Sequence, residues 1–191
     1  MTKTLETLSE GALIRATERV LWSRTLELWV FGWAKLPLLA HIRPRVVQVE
    51  GGSLGLVVPF GRRNRNHYGT MYFGALASTA EMLPGVLAVL ASRAAGGSPV
   101  FYVKDLQGVF LHKAKGSVTF YEESPGIVER AVQRCLAQDQ VVEQDVGIVG
   151  TSEVSGRCRV VASFRFTLSL RVSIRSPERK SIPGGTVHHG K

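Results

Sequence analysis

Apolar and polar side chains alternate over a long segment near the end of the chain. From residue 158 to residue 174 every even position is apolar, whereas Arg, Ser and Thr occupy most odd positions. A period of two residues over this length predicts a long strand with one buried face. The valine-rich segment 140–150 predicts a further strand. The apolar even positions are Cys158, Val160, Ala162, Phe164, Phe166, Leu168, Leu170, Val172 and Ile174.

Apolar positions that recur every three or four residues predict helices elsewhere. Residues 12–34 have an amphipathic pattern, and residues 70–92 form a second helical segment that is rich in small side chains. Pro84 and Gly85 interrupt the second segment, which predicts a kink or a break near residue 81.

A third helix is predicted after Ser124 and Pro125, which supply an N-cap and a first-turn proline. The predicted order of elements is therefore α-ββ-α-ββ-α-ββ. This order indicates the α+β class, with a curved antiparallel sheet wrapped around a central helix. The other strands are predicted at residues 46–49, 54–60, 99–110 and 116–121.

The composition indicates one basic domain. The 191 residues carry a formal net charge of +9, and 45% of them are hydrophobic, which is enough for a buried core. The positive excess is concentrated in segments 41–70 and 171–191, without the spread of basic and aromatic residues typical of a nucleic-acid domain. We therefore expect no specific nucleic-acid partner. The expected organisation is a helical extension at 1–40, a folded domain at 41–175 and a flexible basic tail at 176–191.

Cysteine usage and the N-terminal residues predict a cytoplasmic protein. Cys135 and Cys158 cannot build a disulfide framework, and the polar start of the chain lacks the pattern of a signal peptide. The apolar stretch 26–40 contains charged residues and a proline, so no transmembrane segment is expected. No metal is expected either, since His188 and His189 lack further ligands in the sequence.

Residues 66–81 read Asn-His-Tyr-Gly-Thr-Met-Tyr-Phe-Gly-Ala-Leu-Ala-Ser-Thr-Ala-Glu. This segment resembles the loop and central helix of the hotdog-fold acyl-CoA thioesterases, and it is most similar to their phenylacetate-pathway branch. Tyr72 and Phe73 replace the His-Gly of that family, a combination that resembles an uncharacterised subfamily of hotdog proteins. The positions that match the family motif are Asn66, Gly69, Gly74 and Glu81.

The resemblance implies the hotdog fold, with an extra N-terminal helix in this chain. It also implies hydrolysis of an acyl thioester to a carboxylic acid and a free thiol. Coenzyme A is then part of the substrate and no separate cofactor is needed, with an acyl-carrier protein as the other source of the thiol. The family resemblance further implies a homodimer or a tetramer whose site lies at the subunit interface.

The spacing of the motif suits thioester chemistry. Gly74 and Glu81 are seven residues apart, which places them on one side of a helix and about 10 Å apart along its axis. Unpaired N–H groups in the first turn, at Gly74, favour a developing oxyanion. Glu81 is the candidate base or nucleophile, and burial would raise its pKa. The resemblance gives Asn66 the role of orienting the water or the thioester.

Further residues are candidates for substrate binding. The small side chains Ala77 and Ser78 would leave a groove for an acyl chain, and Tyr72 and Phe73 would form core or pocket wall. Phe73 is also placed to plug a substrate channel. The loop arginines Arg62, Arg63 and Arg65 would contact the phosphates of coenzyme A.

Structural interpretations stand beside these functional ones. Gly74 would let the helix approach the sheet closely. Glu81 would pair with an arginine from a strand, and the loop arginines would simply be solvated.

Two other function classes stay open. The first is a non-catalytic acyl-CoA binder or sensor, in which Tyr72 and Phe73 remove the chemistry. The second is an adaptor whose basic tail and N-terminal helix recruit a membrane surface or nucleic acid, since Trp22, Trp29 and Trp33 either cover the core or touch such a surface.

Overall fold

A computed structural model describes residues 19–49, 52–154 and 156–174. The elements, in chain order, are β1 (Arg19–Val20), α1 (Trp22–Lys35), α2 (Pro37–Ile42), β2 (Arg45–Gln48), β3 (Leu54–Val58), α3 (Phe73–Ala94), β4 (Gly97–Phe110), β5 (Val118–Glu122), α4 (Ile127–Gln138), β6 (Val142–Val154) and β7 (Arg157–Ile174). The basic tail predicted at 176–191, including its two histidines, and the first part of the helix predicted at 12–34 lie outside the described residues.

The strands form one antiparallel sheet in the order β1-β2-β3-β5-β6-β7-β4. The alternating segment forms β7, the longest strand, which pairs with β6 on one side and β4 on the other. Its even side chains Phe164, Phe166 and Leu168 are buried, which confirms the prediction from the two-residue period. The register shifts between Val103 and Asp105 in β4 add a local irregularity that bends the strand.

The central helix α3 packs against the concave side of the sheet. Its side chains Ala80 and Leu83 are fully buried, as are Phe120 of β5 and Phe166 of β7, and all four belong to one core cluster. Among the described residues, α3 is also the one helix long and apolar enough to cross a membrane. Its place in the core accounts for that apolar composition.

Of the kink or break predicted near residue 81, the break is wrong, because α3 continues through Pro84 to Ala94. Proline inside a helix costs about 3 kcal/mol. Pro84 and Gly85 are both buried, so packing against the core opposes this cost. A Cβ at Gly85 would lie 2.6 Å from the ring of Phe101, so glycine allows β4 to approach the helix there.

The start of α4 also differs from the expectation. Ser124 does not cap the helix; the N-cap residue is Gly126, whose φ is +77°. The carboxylate of Glu122, at the end of β5, accepts the N–H groups of Gly126 at 2.7 Å and Val128 at 3.1 Å. The predicted Ser124 cap is therefore wrong, because a buried glutamate two residues earlier pairs with these N–H groups.

Candidate functional site

A groove of about 730 Å³ runs between α1 and α3. Val46 of β2 and Phe101 of β4 both line it, although their strands lie near opposite ends of the strand order. The sheet therefore curls around α3 far enough for both of its edges to reach the same groove. The residues that α3 contributes recur with helical spacing and are Glu81, Met82, Gly85, Val86, Val89, Leu90 and Arg93.

The walls of the groove are mainly apolar. Leu28 and Phe31 of α1, with Leu36 and Leu39 beyond it, face the apolar groove-lining residues of α3. A mostly apolar groove of this volume with a few polar groups is typical of a small-molecule site. From Glu81 to Arg93 the helix rises about 18 Å, a length comparable to that of a long fatty acyl chain.

An ion cluster closes the end of the groove that is far from Glu81. Glu27 Oε2 lies 3.3 Å from Arg24 Nη1 and 3.7 Å from Arg93 Nη1. All three side chains are about half exposed or more, so they form a hydrated polar end. The two ends of the groove thus differ, with a solvated ion cluster at one end and a lone carboxylate at the other.

Glu81 is a partly buried carboxylate in the wall of the apolar groove. Burial raises its pKa above the ordinary value of 4.5. Within the described ranges, no side chain forms a hydrogen bond or an ion pair with it. A desolvated carboxylate without a partner is a strong proton acceptor, which is the property a general base requires.

Gly74 lies in the first turn of α3, beneath the ring of Tyr72. A Cβ on Gly74 would lie 2.5 Å from Tyr72 Cε1. The Tyr72 carbonyl accepts the N–H groups of Ala75 and Leu76, which leaves the Gly74 N–H as a donor at the helix start. The absent side chain therefore makes room for the Tyr72 ring, a contact within the same chain segment.

Tyr72 and Phe73 form an exposed aromatic cluster rather than a wall of the groove. Their ring centroids are 4.8 Å apart, and the Phe73 ring meets the edge of Phe110 of β4 at 6.3 Å. Both side chains are about half exposed. The half-buried Ala77 and Ser78 lie on the same helix, but the side chains lining the groove begin at Glu81.

Asn66 holds the loop that precedes α3. Its Oδ1 accepts the N–H groups of Tyr68 at 3.0 Å and of Thr70 at 3.1 Å. The backbone N–H of Asn66 donates to the Thr70 carbonyl at 2.8 Å. Gly69 completes the turn with φ at +74°. The Asn66 side chain thus closes the loop. The first two turns of α3 separate this loop from the groove.

The loop arginines point to solvent around a buried anchor. Arg62, Arg63 and Arg65 are exposed, whereas the Asn64 amide is buried and donates to the Ile42 and Pro59 carbonyls, both at 3.0 Å. This anchor fixes the loop while it leaves the guanidinium groups accessible. No group of three His, Cys, Asp or Glu side chains that could bind a metal occurs in the described part of the chain.

The groove residues outside the motif were missed by sequence reasoning. The spacing of Arg24, Glu27, Leu28 and Phe31 is a helical signal, but it does not reveal which helix lies opposite. Phe101 carries no sequence signal of its role, because its contact with Gly85 depends on the curl of the sheet.

Comparisons with known proteins agree with the fold. A model of the family described as Domain of unknown function (DUF4442) matches residues 27–161. No curated protein matches the sequence.

Several solved structures are similar. A Pseudomonas aeruginosa protein of unknown function described as a probable thioesterase is 26% identical, with a TM-score of 0.60, over 78% of this chain and 96% of its own. A Chlorobaculum tepidum protein of unknown function is 12% identical, with a TM-score of 0.61, over 80% and 96% of the two chains. A thioesterase mutant from Pseudomonas aeruginosa is 15% identical, with a TM-score of 0.51, over 85% and 100%. The fold is therefore the hotdog fold.

Proposed function

The chain belongs to the DUF4442 family, and we propose that it hydrolyses acyl thioesters to a carboxylic acid and a free thiol. The observation that carries the proposal is Glu81, a desolvated carboxylate without a partner among the described residues, in the wall of a groove sized for an acyl chain. The thioesterase descriptions of structural neighbours support the same reaction class.

In the proposed reaction Glu81 removes a proton from water as the water oxygen attacks the thioester carbonyl carbon. The carbonyl oxygen becomes an oxyanion, and a backbone N–H group stabilises it. When the carbon–sulfur bond breaks, the thiolate leaves and takes up the proton. The acyl chain lies in the groove, and the exposed Arg62, Arg63 and Arg65 contact the phosphates if coenzyme A is the thiol.

The Gly74 N–H is the proposed oxyanion donor, and we propose that it acts together with the Glu81 of a second subunit. Seven residues of helix separate it from Glu81 by about 10 Å, too far for both groups to act on one thioester carbonyl and its attacking water. A dimer would bring the Gly74 of one protomer to the Glu81 of the other. Asn66 then serves the reaction by holding the loop at the helix start.

The proposed dimer forms along the outer edge of β4. This strand has 14 residues and, within the part of the chain that the structure describes, pairs only with β7 and ends the strand order. A long exposed edge with apolar side chains is a template for pairing with another chain. Its exposed apolar side chains include Val100, Tyr102, Leu106 and Val109.

Light scattering after gel filtration tests the dimer. Tyr102→Lys with Val109→Lys places like charges along the edge and should give a monomer, whereas Val141→Lys, at an exposed position away from the edge, should leave the mass unchanged. A dimer that survives the double substitution would contradict this interface.

Thiol release from a panel of short-chain, medium-chain, long-chain and aryl acyl-CoAs tests the activity. The aryl members test the proposed nearness to the phenylacetate-pathway branch, which rests on the loop and helix motif. Glu81→Gln should lower turnover at least about 100-fold while substrate still binds, and Glu129→Gln, at an exposed position of α4, should leave turnover unchanged. Turnover by the Glu81→Gln variant at the wild-type rate would overturn the proposal.

A non-catalytic acyl-CoA binder is the second candidate, and the Tyr72 ring over Gly74 favours it. A ring in this place obstructs the approach of a carbonyl to the helix start. Binding without turnover across the panel, by the wild-type protein, would support the binder. Tyr72→Gly should then open the helix start and introduce measurable hydrolysis. For either function we propose a cytoplasmic location, which both free cysteines support.

A further inference from the structure

A row of large apolar side chains on α1 faces solvent. Trp22, Leu26, Val30 and Trp33 follow at steps of four, four and three residues, so they share one side of the helix. Each is more than half exposed, and Trp33 is 73% exposed. We refer to these four residues as the apolar stripe. A contiguous exposed row of this kind marks an interaction surface, unlike scattered apolar residues.

The helix that carries the apolar stripe is attached firmly on its other side. The Oγ1 of Thr25 accepts the N–H of Val46 in β2 at 3.0 Å. The indole N–H of Trp29 donates to the Pro44 carbonyl at 2.7 Å. A Cβ at Gly32 would lie 3.0 Å from Leu39 Cγ, so α1 and α2 pack closely. A fixed helix therefore presents the stripe to solvent.

Basic side chains lie at both ends of the apolar stripe. The guanidinium carbon of Arg45 is 5.8 Å from the ring centroid of Trp22. At the opposite end, Trp33 shares a hollow of about 370 Å³ with Arg43 and Arg63. Both arginines are exposed. Each tryptophan of the stripe thus has at least one cation beside it.

Acidic side chains are scarce around the stripe. Residues 22–45 contain four Lys or Arg and a single acid, Glu27. Glu27 lines the groove, where it lies beside Arg24 and Arg93. The surface that surrounds the stripe therefore has a net positive charge.

We infer that this face of α1 docks on an anionic lipid bilayer. The apolar stripe enters the boundary between headgroups and acyl chains, where tryptophan is favoured. Arg43 and Arg45 then meet lipid phosphates on either side, which adds attraction to an anionic surface. The hollow beside Trp33 has room for a phosphate headgroup next to the inserted ring. This docking is independent of the proposed hydrolysis.

The charge distribution favours a bilayer over a second copy of the chain. In a two-fold symmetric contact the same patch meets itself. Arg43, Arg45 and Arg63 of the two copies would then converge, and juxtaposed like charges oppose association. An anionic surface instead neutralises all of these charges at once.

Flotation of the full chain with vesicles tests the docking. Vesicles of phosphatidylcholine and phosphatidylglycerol in equal parts should carry the protein upward, whereas vesicles of phosphatidylcholine alone should not. High salt should weaken the binding because it screens the exposed cations. Leu26→Ser with Trp33→Ser should reduce the bound fraction at least about tenfold, since binding scales with the inserted apolar area.

Matched variants separate docking from misfolding. Val30→Ser should weaken flotation, whereas Val141→Ser, of similar exposure at 54%, should not. Arg43→Gln with Arg45→Gln should weaken it, and Arg165→Gln with Arg171→Gln, at exposed positions of β7, should do so far less. Far-ultraviolet circular dichroism checks that each variant is folded.

Three outcomes would overturn the inference. One is a wild-type chain that does not float with anionic vesicles, as expected if its own first 18 residues cover the stripe. Another is a stripe variant that floats as well as the wild type. The third is a stripe variant whose solution mass is lower than that of the wild type, which would make the face an interface between copies.

Discussion

Two carboxylates, the partly buried Glu81 and the buried Glu122, lie in contrasting surroundings. Burial raises the pKa of both above 4.5. At Glu122 the hydrogen bonds from Val128 and Gly126 and the charge of Arg130 act against that rise, whereas burial acts alone at Glu81. A buried carboxylate with two N–H partners stabilises a helix start. One that faces an apolar groove without a partner retains its capacity to bind a proton from a substrate.

Conversion of each carboxylate to the corresponding amide tests this contrast most directly. Glu81→Gln should lower turnover about 10²- to 10⁴-fold, the usual effect of removing a general base. Glu122→Gln should leave turnover nearly unchanged at temperatures well below the unfolding temperature of the variant, because the Glu122 carboxylate contacts α4 and not the groove. Initial rates of thiol release measure both. Equal losses of rate in the two variants would contradict the contrast.

The same substitutions should separate the two sites in stability. Glu122→Gln removes the negative charge and one acceptor from the start of α4, leaving a buried N–H group without its partner. The free energy of unfolding should fall by about 1–3 kcal/mol. Urea unfolding followed by far-ultraviolet circular dichroism measures the change, with Glu129→Gln as the control. An unchanged free energy of unfolding in Glu122→Gln would show that its carboxylate does not stabilise the start of α4.

The pH dependence of stability and of turnover tests the role of Glu81. Its raised pKa means that the folded state binds the proton more tightly than the unfolded state does. The stabilising contribution is complete below the unfolded value and is lost as pH rises through the raised folded value. Glu81→Gln should therefore be more stable than the wild type near neutral pH and equal to it at acid pH. Turnover, which needs the ionised carboxylate, should fall as pH falls through the same raised pKa.

The smallest expected effect is at Arg130, whose charge opposes the rise in the Glu122 pKa. Arg130 is exposed, so solvent screens the interaction. Arg130→Gln should change the free energy of unfolding by less than about 1 kcal/mol. A loss larger than that of Glu122→Gln in the same urea titration would indicate that Arg130, and not the N–H pairing, holds the start of α4.

Local patterns were sufficient for most of the fold. The alternation at 158–174 predicted β7 to within one residue, and the helix predicted at 70–92 became α3 at Phe73–Ala94. Such patterns succeed because each strand or helix buries one face against the same core. The failures at Pro84 and Ser124 share one cause. In both places a buried environment, which no local pattern shows, outweighed an intrinsic preference.

The candidate site could be predicted only in part. The family motif singled out Glu81, which lines the groove, but it grouped this residue with Gly74 and Asn66, which lie near the helix start. Those roles remain predictions. The groove itself depends on which surface of α3 faces α1 and on the curl that brings Phe101 under the helix. These are contacts between distant segments, and a single sequence does not record them.

All three tryptophans of the chain lie on α1, which gives the protein an unusual optical property. The indole of Trp29 is partly buried and hydrogen-bonded, while those of Trp22 and Trp33 are open to water. Fluorescence excited selectively at tryptophan therefore reports on a single helix and not on the sheet. A fluorescence transition that precedes the loss of the dichroism signal would signify that α1 has separated from β2. It would not by itself demonstrate a folding intermediate of the whole domain.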